Sequence, residues 1–126
     1  IPQLIKQAIG GGSLVVFGDG KQSRDFVFVD DVMDALVAAS IAQDVERQLI
    51  NIGSGVAVSI NALADKIAHT IGRKVNVLRS DAQTGGVSRL CADIGKARRL
   101  LNFAPKIDLD TGLRLTLERD PQFKRV

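Results

Sequence analysis

Val15-Val16-Phe17-Gly18-Asp19-Gly20-Lys21-Gln22-Ser23-Arg24-Asp25-Phe26-Val27-Phe28-Val29-Asp30-Asp31-Val32 joins two short β-branched and aromatic runs through a Gly-Asp-Gly turn. Arg24 stands where the second run begins, and Asp30-Asp31 opens an apolar helical pattern. Strand, glycine turn, arginine, strand and helix in that order build a pocket wall with one rigid positive charge. A planar guanidinium in such a place suits phosphate or carboxylate.

Upstream, the apolar residues Ile1, Leu4, Ile5, Ala8 and Ile9 follow the spacing of one helix face, and Gly10-Gly11-Gly12 ends it. Leu14 to Phe17 is expected to be a buried strand and Phe26 to Val29 a second, with Asp30 or Asp31 as N-cap of a helix carrying Val32, Leu36, Val37 and Ala39. Downstream, Gln48 to Ile52 has strand composition and runs into Gly53-Ser54-Gly55. Ser59 is expected to cap a helix with Ile60, Leu63, Ala64, Ile67, Ala68 and Ile71 on its stripe, closed by Gly72. Val75 to Leu78 is a further strand candidate, and Arg79 to Arg89 has loop composition. Asp93 is placed to cap a helix over Ile94 to Leu101, with Lys and Arg in its later turns where the helix dipole favours them. After Pro105, Asp108 or Asp110 starts a last helix through Leu113 and Leu117. Strands and helices alternate, so the fold class is α/β, a mixed α+β fragment. The strands are too short and scattered to form one complete sheet.

At 126 residues with 45% hydrophobic and 25% charged residues, the chain is one domain's worth or less, of ordinary globular composition. No apolar run approaches the roughly 20 residues of a membrane span, and no signal peptide is evident. The chain begins at Ile1 without an initiator Met, so a start further upstream is expected. The net charge of +3 is small and its bases are interspersed with acids; with no Trp, no Tyr and five Phe, a nucleic-acid surface is not expected. The lone Cys91 excludes an internal disulfide and fits a reducing cytoplasm. One His and one Cys cannot build a His/Cys metal site within one chain. His69 lies in a helical run far from any nucleophile motif, as an ordinary helix residue does.

Four glycine-rich stretches, at residues 10–12, 18–20, 53–55 and 85–86, lack the G-x-G-x-x-G spacing of a dinucleotide site. Gly18-Asp19-Gly20 is better suited to a hairpin or loop turn, where glycine supplies positive φ. Arg24-Asp25 has two readings: a local ion pair stabilising by under about 1 kcal/mol, or a guanidinium directed at a phosphate. Asn51 either caps a turn or offers its amide to a ligand at a strand end.

Taken together, Gly18-Asp19-Gly20-x-Gln22-x-Arg24-Asp25-Phe26-x-x-Val29-x-Asp31-Val32 and Asn51-Ile52-Gly53-Ser54-Gly55 resemble the extended short-chain dehydrogenase/reductases. So does Ala92-Asp93-Ile94-x-Lys96-Ala97-Arg98-x-Leu100-Leu101-x-Phe103-x-Pro105 followed by Gly112-Leu113. Within that family the match is to the NAD-dependent nucleotide-sugar epimerases and dehydratases, and residues 1–126 resemble their C-terminal substrate-binding region. The resemblance implies that the backbone at Val15 and Phe17 meets the nucleobase and that Arg24 contacts the diphosphate. It also implies that Asn51 lies near the substrate pocket of a UDP- or dTDP-sugar. Where the family carries an Arg and a Gly-Asp pair, this chain has Gln83-Thr84-Gly85-Gly86, so Arg79 or Arg89 is left to reach the phosphate, with Arg89 the candidate in the matching loop.

The family's chemistry uses a Tyr-x-x-x-Lys pair and a glycine-rich nicotinamide site in an N-terminal Rossmann half. This chain has no Tyr. The resemblance therefore implies NAD(P) for a parent enzyme and no cofactor for this chain alone, which is expected to be inactive in hydride transfer. Two function classes stay open: the substrate-binding part of such an enzyme, and a non-enzymatic nucleotide-sugar-binding or protein-association module. Without its sheet partner the chain is expected to expose apolar surface that a homo-oligomer could cover.

Overall fold

The computed structural model describes residues 1–81 and 86–123. Its elements are α1 (Pro2–Ile9), β1 (Leu14–Phe17), β2 (Ser23–Asp25), α2 (Val29–Ile41), β3 (Ala57–Ser59), α3 (Ile60–Ile71), β4 (Val77–Ser80), α4 (Gly95–Leu101) and α5 (Leu109–Arg119). A 3-10 turn over Pro121–Phe123 follows. β1 pairs in parallel with β4, from Leu14 opposite Val77 to Phe17 opposite Ser80. β2 pairs antiparallel with β3, from Ser23 opposite Ser59 to Asp25 opposite Ala57. The strands thus form two separate two-stranded sheets, as their scatter in the sequence implied.

Three helices are set by the spacing and caps that the sequence displays. α1 starts on Pro2, which needs no N–H partner there, and buries Ile5 and Ala8. The Ser59 side chain accepts the N–H of Ala62 at the head of α3, and Gly72 ends that helix at φ 71°. Asp108 does the same for α5 by accepting the N–H of Thr111. These helices and β1 enclose the larger core, built on Ile5, Leu14, Leu63, Ile67, Leu113 and Phe123. A second, smaller core joins α2 and α4 through Ala35, Ile94, Ala97, Leu101 and Phe103.

The strands depart from expectation because a strand needs a ladder partner as well as β-prone side chains. Phe26 to Val29 is not a strand. The ladder falls earlier, at Ser23–Asp25, which has β3 on one side and a bridge from Ser23 to Arg89. Phe26 instead packs on the larger core, and Phe28 lies under Arg119, 5.7 Å from its guanidinium carbon, on the way into α2. Gln48 to Ile52 pairs with no strand among the described residues. The strand expected at Val75 to Leu78 falls at Val77–Ser80, where β1 fixes its register. The Gly18–Gly20 turn is no hairpin; it passes the chain from one sheet to the other, with Gly18 at φ 66° and Gly20 at φ 70°. A Cβ on Gly20 would fall 2.1 Å from Asn61 Oδ1.

Two expected caps also shift. Phe28 holds the N-cap position of α2 without a side-chain hydrogen bond. Asp30 pairs with Arg119 at 2.7 Å, while Asp31 is buried and accepts the N–H groups of Lys106 (3.0 Å) and Ile107 (3.1 Å). Asp93 accepts the N–H of Gly95, so α4 begins at Gly95 rather than Ile94. No helix of the described residues is long and apolar enough to cross a membrane.

Asp31 joins the small core to the segment that leads into the large one. Replacing it by Ala would strand two part-buried N–H donors, so Asp31→Ala is expected to cost about 1–3 kcal/mol. The midpoint of urea unfolding measures this, and an unchanged midpoint would contradict the role given to the carboxylate.

Candidate functional site

Arg24 sits in the middle of β2, opposite Val58 of β3. Its Nη1 donates to Ser23 O (2.7 Å) and Val87 O (2.9 Å). Two backbone carbonyls thus aim the guanidinium, and among the described residues no carboxylate pairs with it. The local ion pair with Asp25 is not formed. An arginine fixed at one nitrogen and left unneutralised keeps the rest of its donor fork for an anion.

Asp25 has other partners. Its Oδ1 accepts the N–H (2.7 Å) and hydroxyl (2.5 Å) of Ser54, and its Oδ2 accepts the N–H groups of Gly55 (2.9 Å) and Ala92 (3.1 Å). Burial pushes the carboxyl upward in pKa, but the bonds from Ser54, Ala92 and Gly55 together hold it below its ordinary value. Gly53 permits this approach: a Cβ there would lie 2.6 Å from both Asp25 Oδ2 and Ala92 Cβ.

Arg24 and Asp25, Asn51 and Ile52, and the run Leu90 to Asp93 line one open depression of about 430 Å³. Asn51 is exposed on its rim. Arg89 is exposed beside it, bridged to Ser23 and next in sequence to Leu90. The fold therefore brings Arg24 and Asn51 to one concavity, while Arg89 does not line it. Asn51 reaches it from a segment without strand structure, not from a strand end.

Val15 and Phe17 are not among the residues lining that depression. Both lie on β1, which directs Leu14 N to Asn76 O and Gly18 N to Ser80 O on its β4 side. The alternate groups face the other edge, where Val15 N donates to Gln7 Oε1 (3.1 Å) and Phe17 O accepts from Gln22 Nε2 (2.9 Å). Two glutamine side chains thus bond to an edge that no strand covers among the described residues, and half-buried Val15 and exposed Phe17 lie along it. Arg79 donates to Asp19 O, as does Asn61 Nδ2, so Arg79 is used in holding the glycine turn. Gln83, Thr84 and Gly85 lie outside the described residues. His69 is an exposed residue near the end of α3.

A second, more apolar groove of about 260 Å³ runs between Phe26–Val29 and α5, with Ile1 at its rim. It offers little to orient a polar ligand.

The family described as the NAD dependent epimerase/dehydratase family matches residues 1–53. A putative UDP-glucose 4-epimerase of Methanocaldococcus jannaschii is 37% identical over 110 residues, covering 87% of this chain and 35% of the relative. Among solved structures, the UDP-glucose 4-epimerase of Thermotoga maritima with UDP-glucose superposes with a TM-score of 0.85 at 31% identity, over 92% of this chain and 37% of that one. The UDP-glucuronic acid 4-epimerase of Bacillus cereus, in complex with UDP-glucuronic acid and NAD, gives 0.81 at 33% identity, over 87% and 35%. Similarity to these epimerases thus extends over most of this chain, at 31–37% identity. It spans about a third of the length of the curated relatives it matches.

Three glycine turns do not form a cradle for the pyrophosphate of NAD. Gly10–Gly12 ends a helix, Gly18–Gly20 links two strands, and the N–H groups of Ser54 and Gly55 already bind the Asp25 carboxylate. A pyrophosphate would find those donors taken, and there is no Tyr to hold a proton for a sugar hydroxyl.

The clamp at Asp25 is the part of the site that its sequence neighbour concealed, since a carboxylate beside an arginine first suggests a salt bridge. Gly53-Ser54-Gly55 carries the signal, because consecutive N–H groups in a glycine turn form an anion-binding concavity. Gly53→Ala forces a methyl against that carboxylate and is expected to destabilise by about 1–3 kcal/mol, read from thermal unfolding. The pKa of Asp25 is lowered on folding, so its contribution is fully present above the ordinary value of 3.8 and is lost as pH falls through the lowered one. The stability gap between the native chain and Asp25→Ala should thus be constant near neutrality and close at strongly acidic pH. A gap that widened on acidification would reverse the sign.

Proposed function

We propose that this chain is the substrate-binding part of an NAD-dependent nucleotide-sugar epimerase or dehydratase, taking the UDP or dTDP end of the sugar nucleotide and catalytically incomplete alone. The observation that carries the reading is Arg24, anchored by two carbonyls, unpaired with any described carboxylate and opening onto a depression shared with Asn51. In this reading Arg24 forks onto the diphosphate and Arg89 approaches the same charge from the neighbouring segment. Asn51 meets the sugar side. The free edge of β1 at Val15 and Phe17 offers N–H and C=O to the pyrimidine edge once the Gln7 and Gln22 side chains turn away. The printed ligands of the two solved relatives, UDP-glucose and UDP-glucuronic acid, support that ligand class.

NAD, and the groups that exchange protons and hydride with the sugar, belong in this reading to an N-terminal Rossmann half. One face of α2 supports such a partner. Val29, Met33, Leu36, Val37 and Ile41 recur at helical spacing and are 60%, 53%, 59%, 60% and 79% exposed. Leu49, on the β-prone segment without a ladder partner, is 84% exposed. A helix and a following β-prone run, both uncovered, are the pieces that a doubly wound sheet would absorb. The same surface favours the second reading, a protein-association module in which another copy of the chain covers it. The free Cys91 is in keeping with a cytoplasmic setting.

Titration of the isotopically labelled chain with UDP and with dTDP tests the reading. Perturbations are expected from Val15 to Arg24 and at Asn51 and Arg89, and Arg24→Ala should weaken binding by about 1.5–3 kcal/mol because its bonds go to a charged group. Silence at those residues with millimolar nucleotide would remove the case for an autonomous site.

A further inference from the structure

We propose that Asp25 is a positioning residue for the anion site, clamping two segments and acting on Arg24 through the one that ends at Ala92. The inference rests on the reading of Arg24 as the diphosphate contact and adds how that contact is held. The first clamped segment is Ser54-Gly55, bound by both carboxylate oxygens immediately after Asn51 to Gly53. The second ends at Ala92, whose N–H goes to Oδ2 at 3.1 Å, with Cys91 Sγ 3.9 Å from the same oxygen.

The second segment reaches back to Arg24. Ser23 N donates to Ser88 O (2.8 Å), Leu90 N donates to Ser23 O (3.0 Å), and Val87 O accepts from Arg24 Nη1. Val87 to Ala92 is therefore fastened along Ser23 at one end and onto Asp25 at the other, and its first carbonyl aims the guanidinium. Val87 and Leu90 are 57% and 50% exposed, so side-chain burial does little to hold the run in place. The hydrogen bonds must do so. An ionised carboxylate suits this role because it accepts through both oxygens and donates nothing. An amide of the same shape would turn an N–H₂ toward the N–H of Gly55 and Ala92, or toward that of Ser54.

Asp25→Asn and Ser54→Ala test the proposal, with Asp31→Asn as the control for general loosening, since Asp31 holds the N–H groups of Lys106 and Ile107, neither of which lines the depression. Three quantities are read on the whole labelled chain: amide exchange at Ser54, Gly55 and Ala92, the Arg24 Nε–H resonance, and affinity for UDP-glucose. Asp25→Asn should speed exchange at the three amides by about tenfold beyond any change at Leu63. It should also move the Arg24 resonance to the value of a solvated arginine, and weaken UDP-glucose by about tenfold or more. Ser54→Ala should shift all three in the same direction by less, and it decides the matter if Asp25→Asn does not fold. Asp31→Asn should lower the unfolding midpoint while leaving the Arg24 resonance and the affinity in place.

An Asp25→Asn protein that exchanges faster but keeps its Arg24 resonance and affinity would overturn the proposal. So would an Asp31→Asn protein that disturbs Arg24 as much. If the native chain fails to bind UDP-glucose, the reading of the site as a diphosphate pocket falls, and the clamp is then judged by the Arg24 resonance alone.

Discussion

Backbone N–H groups that leave regular structure must still find acceptors, and in this chain two aspartates supply them where strands do not. Asp25 takes donors from Ser54, Gly55 and Ala92; Asp31 takes those of Lys106 and Ile107. The larger core lies among α1, β1, α3 and α5, and the smaller between α2 and α4. The two carboxylates tie segments of one core to segments of the other. β2, which is paired to the strand leading into α3, reaches through Asp25 toward Ile52 and Ala92 of the small core, and α2 reaches through Asp31 toward the head of α5. Among the described residues the strands form two short two-stranded sheets, and no continuous ladder does this work.

That arrangement explains which parts of the fold were legible in the sequence. α1, α3 and α5 follow from local information: apolar residues at helical spacing, Ser59 and Asp108 as caps, and Gly72 as a stop. The strands do not, because pairing is settled elsewhere in the chain. Phe26–Val29 has better strand composition than Ser23–Asp25, yet the latter has β3 beside it. Gln48–Ile52 has the composition and no partner among the described residues. The cap expected at Asp30 or Asp31 is missing for a related reason, since a carboxylate near a helix start can be drawn to a more distant donor.

The site was legible unevenly. Arg24 and Asn51 come from separate stretches and meet in one depression, and Arg89 is tied to the residue before Arg24. Family resemblance named them, while composition alone left Arg24 undecided between an ion pair and a ligand contact. Asp25 was hidden in plain view beside Arg24, since only the folded chain brings residues 54, 55 and 92 to its two oxygens. Val15 and Phe17 stand apart on β1, where the exposed edge, rather than their side chains, is what could meet a base.

The small core has a consequence for how a pocket built on it behaves. Five buried residues, two of them alanines, are a thin foundation beside the larger core. Such units open sub-globally before the whole domain unfolds. One wall of the depression, Ile52 and Ala92, packs on that unit. Occupancy and local order are then thermodynamically linked: a bound molecule draws on the closed form, and its apparent affinity carries the fraction of time the unit is assembled. Covering α2 from outside would raise that fraction without touching the pocket, so a neighbour on the far side of the helix would act as an affinity modulator.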